Sequence, residues 1–482
     1  MALSFWFRSP ALRRGVAVSA VVLAAGGLIL HKSSAAGHAS VMPSSILASG
    51  SNSASFSGPG AHGMVSLSHS RVLRGSQTRL FAEVRMIADA AEGNAKERAP
   101  ISLAVVLDTS GSMSGDKINE AKRSALELLA QMRDDDEIAF VRYSDSSELL
   151  QPLSRVSNVR SQLASRIREL SAGGGTNIPR GLSEGLAALG AADRDRVRRV
   201  VLVSDGLDGT RVRAEQLAEN ASRDGVVVSS LGIGLDFDEA YMGSVAQRGH
   251  GNFAFVKDGA SLAKFLSREL VETASTTIEN AVVTLTLPEG ITFVSATGAD
   301  AGTTGRGGRT IELSLGSLFA GDDRRGIVEL ASDGDVDGHL DVVTHARWSR
   351  VGAKGAVDID VPSLTLVASR DPDEVVRGRD GAVLASAASV VASKRQVEAA
   401  NAYAQGDVAR ATKLVEANET ELTAALAAAP APAATAVQAQ LDSYREAKKT
   451  FTYVPPATTA GRAAAKVTTE KEMSNFKRKA WK

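Results

Sequence analysis

The sequence predicts an α/β domain built on a doubly wound, mostly parallel sheet, inserted into a β-sandwich and followed by a helical C-terminal region. Three observations carry this reading. Between residues 101 and 273, continuous apolar runs alternate with segments whose apolar residues return every three or four positions. On both sides of that stretch they return every second position, the mark of half-buried strands. Beyond residue 373 the chain is Ala-rich and helical in pattern.

A chain of 482 residues exceeds what one core holds, so several domains are expected. Charge is balanced, with 55 Lys and Arg against 55 Asp and Glu, and nothing global points to nucleic acid. Aromatic residues make up only 4%, so the cores are expected to be aliphatic. The absence of cysteine excludes disulfides, thiolate metal sites and a cysteine nucleophile.

At the N-terminus, Arg8, Arg13 and Arg14 precede an uncharged run over residues 15–30, and Ser33, Ser34, Ala35 and Ala36 follow. A basic segment, a short apolar segment and then small residues describe an export signal, assigned to residues 1–32. The apolar run, about 16 residues, falls short of the roughly 20 that span a bilayer comfortably. It is expected either to be cleaved or to stay as an anchor through residues 15–30, with its arginines inside. The protein is thereby expected in the periplasm, in the cell envelope or outside the cell. Residues 33–61, rich in Ser, Ala and Gly, read as a flexible linker.

Residues 62–99 hold two alternating stretches, 65–70 and 78–87, read as strands of the sandwich. Residues 100–275 form the α/β unit. Its strands are expected at 101–107, 137–143, 197–204, 226–232 and 252–256. Its helices are expected at 117–131, 159–170, 180–191, 212–224, 239–247 and 260–273. Within residues 277–368, further alternating stretches run over 281–287, 291–295, 310–315, 326–330, 338–347 and 357–367. Neither flanking piece alone has the usual strand number of a stable sandwich, so the two are expected to close one sandwich together. Residues 371–450 read as helical, punctuated by Gly406-Asp407 and broken at Pro430 and Pro432. Residues 451–482 read as a solvated basic tail.

Five residues converge on one chemistry. Asp108, Ser110 and Ser112 lie just beyond the first buried strand, at the end where open α/β sheets place their sites. Gly111 lets the loop turn sharply between the serines. Thr176 follows Gly173-Gly174-Gly175 in a second loop, and Asp205 ends the buried run 197–204. All five offer hard oxygen donors. Such a set suits magnesium, with manganese and calcium open, and disfavours zinc and copper. Taken singly, residues of these types more often cap loops and turns. Five of them, in order over three loops, argue for a site.

Competing chemistries find less support. The glycines 173–175 are not followed by Gly-Lys-Ser or Gly-Lys-Thr, so nucleotide binding is not expected. The serines have no histidine partner in a recognisable triad, which leaves hydrolase chemistry without support. The Asp-rich loop 333–341 lacks a terminal Glu and reads as a polar hairpin rather than a calcium loop.

Asp-x-Ser-x-Ser after the first strand, Thr in a Gly-Gly-Thr-Asn loop and Asp-Gly after the fourth strand resemble the metal-ion-dependent adhesion site of von Willebrand factor A-type domains. The match is intact at Asp108, Ser110, Ser112, Thr176 and Asp205. Residues 232–239 and 249–255 are also similar to the family, and the whole pattern is most similar to bacterial cell-envelope proteins of this type. The resemblance implies that Ser110 and Ser112 ligate the ion directly and that Thr176 does so in one conformation. It implies that Asp108 and Asp205 act partly through water. It further implies a non-enzymatic function, the capture of a protein partner that presents an Asp or Glu to the metal. Two other functions stay open: an envelope scaffold whose metal is structural, and a subunit of a metal-chelatase or ATPase-type complex. The export signal argues against the last, since such complexes work in the cytoplasm with ATP.

Overall fold

The computed structural model describes residues 52–90, 99–193, 195–205 and 208–477. The export signal, most of the linker and the last residues of the basic tail lie outside the described residues. Four strands come first: β1 (Ser53–Gly58), β2 (Ala61–Leu67), β3 (Arg71–Leu73) and β4 (Arg79–Ala88). β1 corrects the linker reading of residues 33–61. Its Ala54 and Phe56 face the core while Ser55 and Ser57 face water, a period-two pattern hidden among small residues. Pro59 and Gly60, the latter at φ 83°, make the turn into β2.

The inserted domain begins with β5 (Ile101–Asp108), α1 (Asp116–Gln131), β6 (Glu137–Tyr143), β7 (Ser147–Arg155), α2 (Val156–Glu169) and α3 (Ile178–Leu189). It continues with β8 (Val197–Ser204), α4 (Arg211–Arg223), β9 (Val226–Ile233), α5 (Glu239–Arg248), β10 (His250–Val256) and α6 (Gly259–Ala274). The strands lie in the order β10-β9-β8-β5-β6-β7 and run parallel except for β7. This is the doubly wound sheet expected from the alternating pattern. All of β5 is buried because helices cover both faces. Leu103, Val105 and Leu107 pack with α1, α2 and α6, whereas Ala104 and Val106 pack with α3, α4 and α5. Close approach of α3 depends on glycine: a Cβ on Gly185 would stand 2.4 Å from Val106 Cγ2. The strand β7 is absent from the sequence reading. It lies at the sheet edge and carries Pro152, and its polar residues interrupt any alternation.

The chain then returns to strands: β11 (Thr276–Thr286), β12 (Ile291–Thr297), β13 (Asp300–Thr304), β14 (Thr310–Phe319), β15 (Asp323–Ser332), β16 (His339–Arg350) and β17 (Ala356–Ser369). Two sheets face each other, one ordered β1-β2-β4-β15-β12 and the other β13-β14-β11-β16-β17-β3. The segment before the insertion therefore supplies strands to both sheets. β4 pairs with β15 without interruption from Arg79–Ala331 to Ile87–Asp323. Phe56, Val65, Val84, Leu285, Leu313, Val342 and Trp348 belong to the one core that both sheets bury.

Glu279, on β11, gives this part of the molecule a pH dependence. Burial pushes its carboxyl from 4.5 up to about 7, and the charge of Arg198 offsets this only in part. Between those values the folded protein keeps a proton that the unfolded chain releases, so stability falls as pH rises through that window. Above it the full penalty remains. Glu279→Gln should therefore add up to about 3 kcal/mol above pH 7 and nothing near pH 4. Urea unfolding at both pH values measures the difference. An equal gain at both would show that the proton plays no part.

Five helices close the chain: α7 (Pro372–Arg377), α8 (Gly381–Ala404), α9 (Val408–Leu426), α10 (Ala431–Tyr453) and α11 (Thr459–Lys477). α8 lies on the sandwich, where the Ser386 hydroxyl donates to Glu83 at 2.6 Å and accepts from the buried Arg325 guanidinium at 3.0 Å. α11 corrects the reading of residues 451–482 as a solvated basic tail. Its Lys466 is buried against Glu239 of α5 at 2.6 Å, and its Glu472 is buried against Tyr444 at 2.8 Å. These charges read as surface residues because Lys466 and Glu239 are 227 positions apart in the chain. Among the described residues no helix is long and apolar enough to cross a membrane.

Candidate metal site

The inserted sheet reverses its winding between β5 and β8, which lie side by side with Leu107 opposite Val203. Each strand ends in the crevice that such a reversal leaves open. Asp108 is the last residue of β5, and Asp205 follows the last residue of β8, so their carboxylates emerge as neighbours. Both aspartates are fully buried. Asp108 Oδ1 accepts the Ser110 backbone N–H at 2.8 Å, a local turn that aims the loop, and Oδ2 accepts the Ser204 hydroxyl at 2.7 Å. The Ser110 and Ser112 hydroxyls are 3.1 Å apart. Ser112 then donates to Asp205 Oδ1 at 2.7 Å. Four of the five residues singled out from the sequence thus form one hydrogen-bonded path.

Thr176 belongs to a loop held against this path by backbone contacts. Gly111 N–H donates to Gly174 at 2.9 Å, and Gly173 N–H donates to Thr109 at 2.8 Å. The loop turns at Gly174 with φ 84°, and Asp145 accepts the Gly175 N–H at 2.8 Å. A Cβ on Gly175 would stand 2.3 Å from the Asp145 carboxylate, and one on Gly174 2.7 Å from it, so these two glycines, though not Gly173, are fitted to the loop. Thr176 is half-buried and, among the described residues, makes no hydrogen bond to the other four.

Burial holds the Asp108 carboxyl above its ordinary range. Hydrogen bonds from Ser110 and Ser204 pull it down, and the charge of Asp205 adds to the upward push. Two groups at the site escape the sequence reading. Ser204 looks like one more strand residue, and Lys117 looks like one more residue of a helix. Yet Lys117, at the start of α1, places its ammonium 2.5 Å from Asp205 Oδ2. That ammonium is a cation already resting against the carboxylate that the metal reading needs. The donor set of carboxylates and hydroxyls therefore fits a hard cation. Among the described residues no group of three or more His, Cys, Asp or Glu is placed to hold a metal, so an ion bound here would need the serine and threonine hydroxyls as well as the two carboxylates.

Comparison with known proteins identifies the domain that carries these residues. The sequence model of the von Willebrand factor type A domain matches residues 102–268. Those residues form a von Willebrand factor type A domain. An uncharacterized protein of Synechocystis is 28% identical over 178 residues, which are 36% of this chain and 42% of that protein. The uncharacterized Escherichia coli protein YfbK is 30% identical over 191 residues, 37% of this chain and 32% of its own length. Mouse inter-alpha-trypsin inhibitor heavy chain H2 is 29% identical over 174 residues, 32% of this chain and 18% of its own. The chain thus matches less than half the length of each of these relatives, and the likeness is that of the von Willebrand domain. Among solved structures, a von Willebrand factor type A protein of Catenulispora acidiphila superposes with a TM-score of 0.66 at 16% identity, covering 90% of this chain and 99% of that one. The ArnB paralog VWA2 of Sulfolobus acidocaldarius superposes with a TM-score of 0.54 at 18% identity, over 88% and 99% of the two chains. At these identities the likeness is one of fold, and it extends well beyond the von Willebrand domain.

Proposed function

We propose that this chain is an exported, non-enzymatic binding protein. It would capture an acidic residue of a partner protein through a divalent ion, magnesium before manganese or calcium, held by Asp108, Ser110, Ser112, Thr176 and Asp205. The observation that carries the reading is the path from Asp108 through Ser110 and Ser112 to Asp205, in which only the two ends are anionic. A bound divalent ion would supply positive charge that these few anions leave incompletely neutralised. The buried aspartates and the low-dielectric crevice around them preserve that field for an external carboxylate, more so once a partner excludes water. Beside the loops of Thr176 and Asp205 opens a groove of about 500 Å³, lined by Asn177, Arg180, Ser183, Thr210 and Arg213 among others. Its two arginines outnumber its one carboxylate, Glu184, and suit an acidic surface around the captured residue. Export is supported by Arg8, Arg13 and Arg14 ahead of the apolar run 15–30.

Calorimetric titration of Mg²⁺ and Mn²⁺ into the full chain tests the site. Asp108→Ala should weaken binding by roughly 100-fold or more while the thermal melt still reports a folded protein. Unchanged affinity would refute the site. A partner captured from envelope extract should be released by chelator and recaptured with Mg²⁺. Capture that survives both chelator and Asp108→Ala would leave the metal a structural role and favour the scaffold reading.

A further inference from the structure

We propose that Lys117 is a built-in counter-ion for Asp205 that must give way when a divalent cation fills the site, and that Asp236 receives it. The inference rests on the metal-site reading given above and concerns how that site is regulated. Asp205 has no exposed side-chain surface, and both of its oxygens are engaged, one by the Ser112 hydroxyl and the other by the Lys117 ammonium. A buried carboxylate is costly without a charge partner, and in the metal-free protein the Lys117 ammonium is the cation that lies against Asp205. The same ammonium stands in the field of any cation that draws on Asp205, and like charges this close repel. Lys117 therefore sets a threshold. It keeps the empty site intact and weakens the affinity for the ion that would replace it.

The structure also supplies a place for the displaced group. Lys117 is a flexible stem in the first turn of α1, and its Nζ lies 3.9 Å from Asp236 Oδ2. The stem passes over Gly234, where a Cβ would come within 3.2 Å of Lys117 Cε. Gly234 has φ 76°, so a side chain is disfavoured there on backbone grounds as well. A short swing thus exchanges one carboxylate for another. Asp236 is not idle, however, because Arg462 of α11 donates to its other oxygen at 2.7 Å. Lys117 and Arg462 share this aspartate, which links the occupancy of the site to the C-terminal helix. Asp236 is 63% exposed and Arg462 42% exposed, so solvent screens this outer link and its effect is small beside that of Lys117 on Asp205.

The test is titration of Mg²⁺, by calorimetry and by thermal melting, into the full chain and four variants. Lys117→Met should bind Mg²⁺ about tenfold tighter or more. Its metal-free form should melt lower, and its upward shift on adding Mg²⁺ should be larger. Lys117→Gln, which keeps a donor but loses the charge, should show the same tightening and isolates charge from packing. Asp236→Asn should weaken Mg²⁺ binding about two- to threefold by removing the receiving carboxylate, and Arg462→Met should strengthen it by a similar factor. Both small effects should fade at about 0.5 M salt. Wild-type binding with unchanged or weaker affinity in Lys117→Gln overturns the counter-ion role and leaves the metal site standing. Effects of equal sign in Asp236→Asn and Arg462→Met overturn the receiving role. If neither wild type nor either lysine variant binds Mg²⁺ or Mn²⁺, the metal reading itself fails and this inference falls with it. Binding that emerges only in the lysine variants would be the strongest form of the expected result.

Discussion

Arg199→Met is expected to destabilise the protein by about 3 to 5 kcal/mol, among the largest effects of any single charge removal in this molecule. Arg199, on β8, holds Glu269 of α6 at 2.7 Å, and the two side chains are only 7% and 2% exposed. Glu269 also accepts from Ser229 at 2.5 Å and from Asn252 at 2.6 Å. Without the guanidinium, two neutral donors would be left to hold a buried anion. Among the described residues the arginine's Nε finds no hydrogen-bond partner, so the pair is imperfectly satisfied even in the native state. Replacing both partners together, as Arg199→Met with Glu269→Leu, should therefore recover most of the loss. Urea unfolding of the single and double variants measures both effects. A single variant within 1 kcal/mol of wild type, or a double variant no better than the single, would contradict the account.

Trp348→Ala should cost a similar amount, about 3 to 5 kcal/mol, in the sandwich instead of the inserted domain. The indole on β16 has no exposed surface. Its ring centroid lies 6.2 Å from that of Phe56 on β1, and its Nε1–H donates to the Pro59 carbonyl at 3.0 Å. A Cβ on Gly58 would stand 2.9 Å from the indole, so the β1–β2 turn and the tryptophan are fitted to each other. Truncation removes the packing volume and also leaves the Pro59 carbonyl without its donor. Trp348→Phe should recover much of the packing but not that hydrogen bond, and should fall between the two. Equal losses for alanine and phenylalanine would mean that the hydrogen bond, and not the buried ring, dominates.

The inserted domain was legible because its strands are buried on both faces and its helices on one, two patterns that differ strongly in period. Thus β5 appears as an unbroken apolar run, and α1 as a stripe through Ile118, Ala121, Ala125, Leu128 and Leu129. Edge strands lack this contrast. β7 carries Pro152, and β13 is the exposed sequence Asp-Ala-Gly-Thr-Thr with no large apolar residue to betray it. β1 was hidden because its outward positions are all serine, the same residue that marks a linker. At the site, Asp108, Ser110, Ser112 and Asp205 were legible because their order along the chain mirrors their order around the crevice. Lys117 was not, because nothing local separates a lysine that faces solvent from one whose partner lies 88 positions away. α11 was misread for the same reason, since its buried charges find their partners through tertiary contacts alone.

The ladder between β4 and β15 has a consequence in time. The ion pair between Arg85 and Asp323 spans 238 positions of chain, and the whole von Willebrand domain is made between the two strands. At the roughly 5 to 20 residues per second of ribosomal synthesis, β4 would wait on the order of 10 to 50 seconds for its partner. Throughout that interval its edge would present unpaired N–H and C=O groups beside an apolar face, the arrangement most prone to pairing with a neighbouring chain. The inserted domain, whose strands arise close together in sequence, would meanwhile be complete enough to collapse. A nascent chain of this protein is thus expected to carry a folded middle and an open, adhesive beginning, and its yield should depend on whatever shields that first sheet until the second half arrives.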